Sequence, residues 1–331
     1  MRFHAAAFSL LFALVRPAQA DTVTLKIATL APEGSAWMKL SHDWQRKVEE
    51  RTQGRVKVKW YAGGVQGDER DVLRKIRLGQ ISGASITGIG LSAIAPEVRA
   101  LELARTYEEL DKLRAELGPD IKKAFEAKGF VLGSWGDVGP VHLFSSKPVK
   151  TLDDLRSVKL WLWSDDPVSK QLFTALQLHG VPMGVPEVLP GLSTGQIDSF
   201  FGSPLSTLAL QWAGHVKYMS ANTMSEACGA TILAKTAWDK IAPADQQILL
   251  DEAQAMQAEV LKQVRADNER SLAAMKQKGL QVVEFSPELQ QALDQAEEKV
   301  ARSNEGDLSK DFRAKVEKMV EDYRKQQQSR R

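Results

Sequence analysis

Cysteine is nearly missing from this chain: 331 residues contain one, Cys228, so no intramolecular disulfide is possible. It stands in Ala227-Cys-Gly-Ala-Thr-Ile-Leu233, a strand-like run in which a lone thiol reads as a small buried apolar group rather than a nucleophile. Metal-ligand spacing is lacking too. His42, His142, His179 and His215 are scattered, with neither His-Glu-x-x-His nor paired cysteines. Gly88-Ile-Gly90 is a glycine pair without the rest of a phosphate-binding loop. Nor does charge of one sign dominate, since 44 Lys and Arg stand against 42 Asp and Glu, which gives nucleic acid no support as a partner. The expectation is a protein that is no enzyme and carries neither metal nor cofactor.

Long apolar runs are also scarce. The one near the N-terminus, Ala5 to Val15, follows Arg2 and leads to Ala18-Gln19-Ala20, the pattern of a signal peptide cleaved after Ala20. It is well short of the roughly 20 residues that span a bilayer. Without Arg2 and Arg16, 42 basic residues balance 42 acidic ones, and no cysteine follows the cleavage site to take a lipid. The mature chain is therefore expected to be soluble in a bacterial periplasm. At about 310 residues it exceeds what one core usually holds, which favours two lobes.

Strands and helices alternate along it. Val23 to Leu30 reads as a buried strand, and Trp37, Leu40, Trp44 and Val48 recur at helical spacing up to Gly54. Arg55 to Trp60 alternates as a half-buried strand, Asp68 caps a helix ending near Gly79, and Ile81 to Thr87 returns as a strand. Helices are expected around 108–117 and 120–128, then strands at 130–135 and 141–144. A second cycle follows, with strands at 158–163, 197–201 and 231–234 and helices at 166–178 and 186–194. The run 244–278 has neither Gly nor Pro and carries an apolar stripe from Ile248 to Val264, a helix of about 50 Å. This pattern predicts an α/β protein with mixed, mainly parallel sheets and helical crossovers. The expected division is signal peptide 1–20, lobe 1 21–145, lobe 2 146–235, a long spanning helix with strand and helix 236–301, and a solvated, charged helix and tail 302–331.

Two segments carry a family resemblance: Asp153-Asp-Leu-Arg-Ser-Val-Lys-Leu-Trp161, and Val185-Pro-Glu-Val-Leu-Pro-Gly-Leu-Ser-Thr-Gly-Gln-Ile-Asp198. With Ala28-Thr-Leu-Ala-Pro-Glu-Gly-Ser35 and Val48-Glu-Glu-Arg-Thr-Gln-Gly-Arg-Val-Lys-Val58, they resemble the DctP-type solute receptors of TRAP transporters over nearly the whole mature chain. The resemblance implies a two-lobed periplasmic-binding-protein fold with a ligand cleft between lobes and a long helix bracing both. It implies delivery of a solute to a membrane permease of paired small and large subunits. Family members usually carry Lys-Ile-Arg or Lys-Met-Arg at the end of the first motif, and that arginine grips a carboxylate through paired charge-assisted hydrogen bonds. Trp161 stands in the arginine's place here, which suggests a divergent branch. The family's asparagine anchor falls on Gly202 or Ser203, so both usual carboxylate anchors are missing.

A carboxylate removed from water without a charged partner costs several kcal/mol. An indole offers one N–H and a large apolar face instead. The expected ligand is therefore apolar, amphipathic or lipid-like, or a flat or cationic molecule held by stacking. The candidate contacts are Trp161, Trp163, Trp135, Phe200, Phe201, Ser203, Glu187 and Trp37. Each has a plainer reading: aromatic residues in strands are usually core, and Glu187 suits a helix N-terminus. Alternation along the strand places Trp161 and Trp163 on one face and Leu160 and Leu162 on the other. Arg99, Arg105 and Lys159 are candidate displaced cations, more simply read as solvated charges. An alternative is a periplasmic lipid carrier or sensor that hands its cargo to a helical-repeat protein.

Overall fold

The computed structural model describes residues 22–164, 166–303 and 308–330, so the expected signal peptide and its cleavage site lie outside the described residues. The strands are β1 Val23–Thr29, β2 Val56–Tyr61, β3 Gly83–Thr87, β4 Phe130–Ser145, β5 Leu160–Trp163, β6 Gly180–Met183, β7 Ser199–Gly202, β8 Tyr218–Ser220, β9 Ser225–Ala234 and β10 Gln281–Val283. The helices are α1 Ala36–Arg51, α2 Glu69–Arg77, α3 Gly88–Ser92, α4 Tyr107–Ala127, α5 Leu152–Ser157, α6 Pro167–Leu176, α7 Val185–Thr194, α8 Pro204–Ala209, α9 Lys235–Trp238, α10 Pro243–Gln277, α11 Pro287–Ser303 and α12 Lys310–Arg330. A 3₁₀ helix, Pro96–Leu103, precedes α4.

The strand order is β2-β1-β3-β9-β4-β7-β5-β6, with β8 bridging β4 and β10. The β1–β2, β1–β3, β5–β6, β5–β7 and β8–β10 pairs are parallel, joined by helical crossovers as the sequence pattern requires. Strand β4 belongs to both halves. Residues 130–141 pair with β9 in the first sheet, and 142–145 pair with β7 in the second. The sequence suggests two strands here. One continuous strand forms because bulges after Leu132 and Asp137 absorb the register shifts, the second with Gly139 at φ +121°.

Three other expectations change. The two helices at 108–117 and 120–128 are the single α4, with Pro119 inside it, because Leu110, Leu113, Leu117, Ile121 and Phe125 bury one continuous stripe. Strand β9 begins at Ser225 and pairs with β3 and β4, so the chain rejoins the first sheet before residue 235. The C-terminal helix α12 is not wholly solvated, since Phe312, Val316 and Met319 pack into the first lobe's core.

Helix α10 has 35 residues and braces both halves. Near its start Asp245 receives two hydrogen bonds from Arg55, at 3.0 and 2.8 Å. In its middle Gln257 accepts from the Trp135 amide, and Arg265 donates to Asp137 at 2.8 Å and to Asp111 at 2.8 and 2.6 Å. Asp137 is fully buried and also accepts from Arg114 at 2.6 Å. Farther along, Asn268 donates to Val138 O and accepts from the Leu205 amide of α8. A Cβ at Gly139 would lie 2.3 Å from the Asn268 amide nitrogen, so glycine is what lets helix and strand meet. Met275 then enters the second lobe's core.

Candidate functional site

Between the halves lies a cavity of about 1140 Å³, slightly above the roughly 300–1,000 Å³ usual for small-molecule pockets. The first lobe contributes Trp37, Ile86, Ile89 and Trp135 to its wall, and the second contributes Trp161, Trp163 and Phe201. Strand β5 explains the second wall. Its period of two sends Leu160 and Leu162 into the core under α6 and α11, and Trp161 and Trp163 into the opposite cluster.

Trp161 is 8% exposed, and its indole N–H donates to Met183 O at 3.0 Å. Trp212 meets it edge-on at 5.4 Å and Trp163 lies 5.5 Å away. Its only donor is committed to the main chain, so what it offers a ligand is an apolar ring. Trp163 donates to Asp68 at 2.7 Å, from the second lobe to the first. Trp37 opens α1, whose N-cap is Ser35, and donates to Asp137 O at 3.1 Å. Trp135 sits at the first bulge of β4 with the Arg114 guanidinium 5.8 Å from its ring centre. Phe201 is half-buried on the wall. Ser203 also reaches the wall, but its hydroxyl caps α8 by accepting from the Ser206 amide at 3.1 Å.

Two candidates lie elsewhere. Phe200 is fully buried, stacked on Phe144 at 5.3 Å and edge-on to Trp212 at 5.0 Å. Successive residues of β7 point to opposite faces, so with Phe201 on the cavity wall Phe200 goes to the core. Glu187 is exposed and outside the wall; it accepts from the Gly184 amide at 2.8 Å and so caps α7. The candidate cations also sort differently. Arg99 is no solvated charge: it is 18% exposed, held by Glu102 at 2.7 Å, Asp166 at 2.5 Å and Ser92 at 3.0 Å. Arg105 is paired with Glu297. Lys159 is exposed, bonded to Gly195 O and away from the cavity.

Burial perturbs the titratable groups on the wall. Burial pushes the Cys228 thiol up to about 12, which leaves no thiolate at neutral pH. Burial raises Glu102, opposed by Arg99. Burial also pushes Glu69 up to about 8, against the pull of the Thr87 and Gly90 amides, while Asp68 adds to the rise. Gly191-Leu-Ser-Thr-Gly195 spells Gly-x-Ser-x-Gly, a signature of serine hydrolases. Ser193 sits near the end of α7 with its hydroxyl on Leu189 O at 2.8 Å, not at the strand-to-helix elbow a nucleophile needs. Among the described residues no group of His, Cys, Asp and Glu is placed to hold a metal ion.

The sequence profile of DctP, the bacterial extracellular solute-binding protein family 7, matches residues 27–307. The chain belongs to the DctP family. Its relatives include the 2,3-diketo-L-gulonate-binding periplasmic protein YiaO of Escherichia coli, 25% identical over 248 residues, which are 71% of this chain and 73% of that protein. The sialic acid-binding periplasmic protein SiaP of Vibrio cholerae is 24% identical over 270 residues, covering 78% and 82%. Among solved structures, DctP7 of Bordetella pertussis, a receptor binding pyroglutamic acid, superposes with a TM-score of 0.83 at 18% identity, covering 91% of this chain and all of the other. A TRAP periplasmic solute-binding protein of Citrobacter koseri with bound D-glucuronate superposes at 0.80 with 24% identity, covering 90% and 98%.

As a DctP protein the chain is a TRAP solute receptor rather than an enzyme, and it takes a small-molecule ligand and works with a membrane permease. Receptors of this family are extracytoplasmic and periplasmic. No helix among the described residues is long and apolar enough to cross a membrane.

Asp68, Trp212 and Asn268 are structural participants that the sequence left unmarked or under-read. Asp68 is legible as a helix cap, and it is one: it accepts from the Glu69 amide. Its second role, toward residues 95 and 117 positions later, has no local signature.

Proposed function

We propose that this DctP receptor captures an apolar or amphipathic solute, of lipid-like character, between its lobes and hands it to a TRAP permease. The observation that carries the reading is Trp161. By the motif resemblance it stands where such receptors usually carry an arginine, and its indole N–H is already taken by Met183 O. The cavity wall around it exposes more apolar than polar surface, with Trp37, Ile86, Ile89, Trp135, Trp163 and Phe201 among its side chains. Arg99 and Arg105, the other cations considered, are paired with carboxylates of the protein itself. At Arg99 or Arg105 a ligand carboxylate would have to displace one of these acids, and against the rings alone it would lie at a cost of several kcal/mol.

The contacts proposed for the ligand are Trp161, Trp163, Trp135, Phe201, Trp37 and the backbone near Ser203. The proposed lobes are those joined by β4, β9 and α10. A second reading has a specific observation in its favour. Relatives are described as bound to sugar acids, and Arg70 lines the cavity, so a displaced cationic clamp is the carboxylate alternative. A helical-repeat protein as the recipient is a further alternative, decided by co-purification against the permease.

Mass spectrometry of the organic extract of receptor purified from a native periplasm tests the main reading. A stoichiometric lipid or other apolar molecule is expected. A bound sugar acid overturns it in favour of the displaced clamp.

A further inference from the structure

The lobes touch through polar groups that belong to neither core. Asp68, at the N-terminus of α2, is 8% exposed. One of its oxygens, Oδ1, accepts from its own helix at the Glu69 amide, at 2.8 Å. The other, Oδ2, faces across the cleft and accepts from Trp163 Nε1 at 2.7 Å and from the Val185 amide at 3.2 Å. Both donors sit on the second lobe, one at the end of β5 and one at the start of α7. Gly184 makes the approach possible, since a Cβ there would meet Asp68 Oδ2 at 2.8 Å. On the same seam, a Cβ at Gly64 of the first lobe would lie 3.1 Å from Pro186 of the second.

A second contact crosses independently. Arg99 belongs to the 3₁₀ helix packed on the first lobe, and its guanidinium reaches Asp166, the N-cap of α6 in the second. Asp166 is 1% exposed and also receives the Val168 amide of its own helix. Charge-assisted hydrogen bonds between such sheltered groups are the strong ones.

We infer that Asp68–Trp163 and Arg99–Asp166 form a clasp with which the protein itself fastens the closed cleft. The inference rests on the receptor reading above and deepens it: Asp68 and Asp166 act as positioning residues for closure. A ligand's contribution to closing is its differential affinity for the closed state. Where the ligand brings no anion to bridge the lobes, the anions that bridge them are the protein's own, Asp68 and Asp166. The ligand then has only to fill the enclosed space, which suits an apolar solute and sets a closed population in its absence.

The test uses ligand-free protein with spin labels at Lys122→Cys in the first lobe and Gln196→Cys in the second, both exposed positions, with buried Cys228 left unlabelled. Electron–electron distance distributions give the closed-to-open ratio directly. Trp163→Phe keeps an aromatic ring and removes the N–H donor together with the indole's second ring, and Asp166→Asn removes the acceptor's charge. Each is expected to lower the ratio by roughly tenfold, the factor that a charge-assisted hydrogen bond of ordinary strength carries. Gly184→Ala removes no polar group and inserts a methyl into the seam, so it is expected to open the lobes as well. Unchanged distributions in all three folded variants overturn the clasp. Because no ligand is added, that failure is distinct from failure of the apolar-ligand reading, which the extract decides by itself.

Discussion

Around Asp137, two guanidiniums, a second carboxylate and an aromatic ring converge where strand β4 passes the long helix α10. Around Trp161, on the second lobe's wall, the neighbours are Trp163, Trp212 and the core beneath them. The charge at the brace is concentrated on Asp137, each of whose carboxylate oxygens has a guanidinium donor, while the aromatic cluster around Trp161 is built from rings. The lesson is that a buried ionic group here serves to fix how the halves are joined.

The sharpest way to break this contrast is Asp137→Ala. It strips Arg114 of a buried partner and Arg265 of one of two, so a loss of about 3–5 kcal/mol is expected in urea unfolding. A loss under about 1 kcal/mol would show that packing alone holds the brace.

The next effect is one of pH. Burial first, and then the nearby Asp137 charge, push Glu226 up to about 8; burial likewise brings Glu69 to about 8. The folded state therefore holds protons that the unfolded chain releases above the ordinary glutamate range. These groups favour folding fully at acid pH, and that contribution fades as pH rises toward and through 8. Stability should fall by an amount on the order of a few kcal/mol between pH 5 and 9. Glu226→Gln should remove about half of that slope, and an unchanged slope would remove Glu226 from the account.

On the aromatic side, Trp161→Arg places a cation on the wall and deletes the apolar ring. Calorimetric titration should show at least a tenfold loss for the co-purified solute, about 1.4 kcal/mol, together with new binding of a sugar acid such as D-glucuronate. The smallest effect sharpens where the wall ends. Phe200→Leu should cost about 1 kcal/mol of stability and leave ligand affinity unchanged. A changed affinity would return Phe200 to the site.

Much of the architecture is legible in the sequence because its signals are local. The period of two in Leu160-Trp-Leu-Trp163 correctly divides the strand's two faces, and the Gly-free, Pro-free run to Lys278 marks α10 within a residue or two. The site is less legible, since Phe200 and Phe201 look alike until pairing with β4 fixes which of them turns inward. Arg99 is misread as a surface charge because its partner Asp166 lies 67 residues away, on the other lobe. Pro119 fails as a helix stop because tertiary burial of its neighbours outweighs local propensity.

Strand β4 is one unbroken ladder partner to both sheets, and Trp135 sits on its first bulge with its amide held by α10. Trp163, by contrast, gives its indole N–H to Asp68 across the cleft, so parting the lobes frees that donor and exposes its ring to water. The receptor consequently carries its own optical gauge: steady-state emission of a variant retaining only this fluorophore would register hinge angle without any added dye.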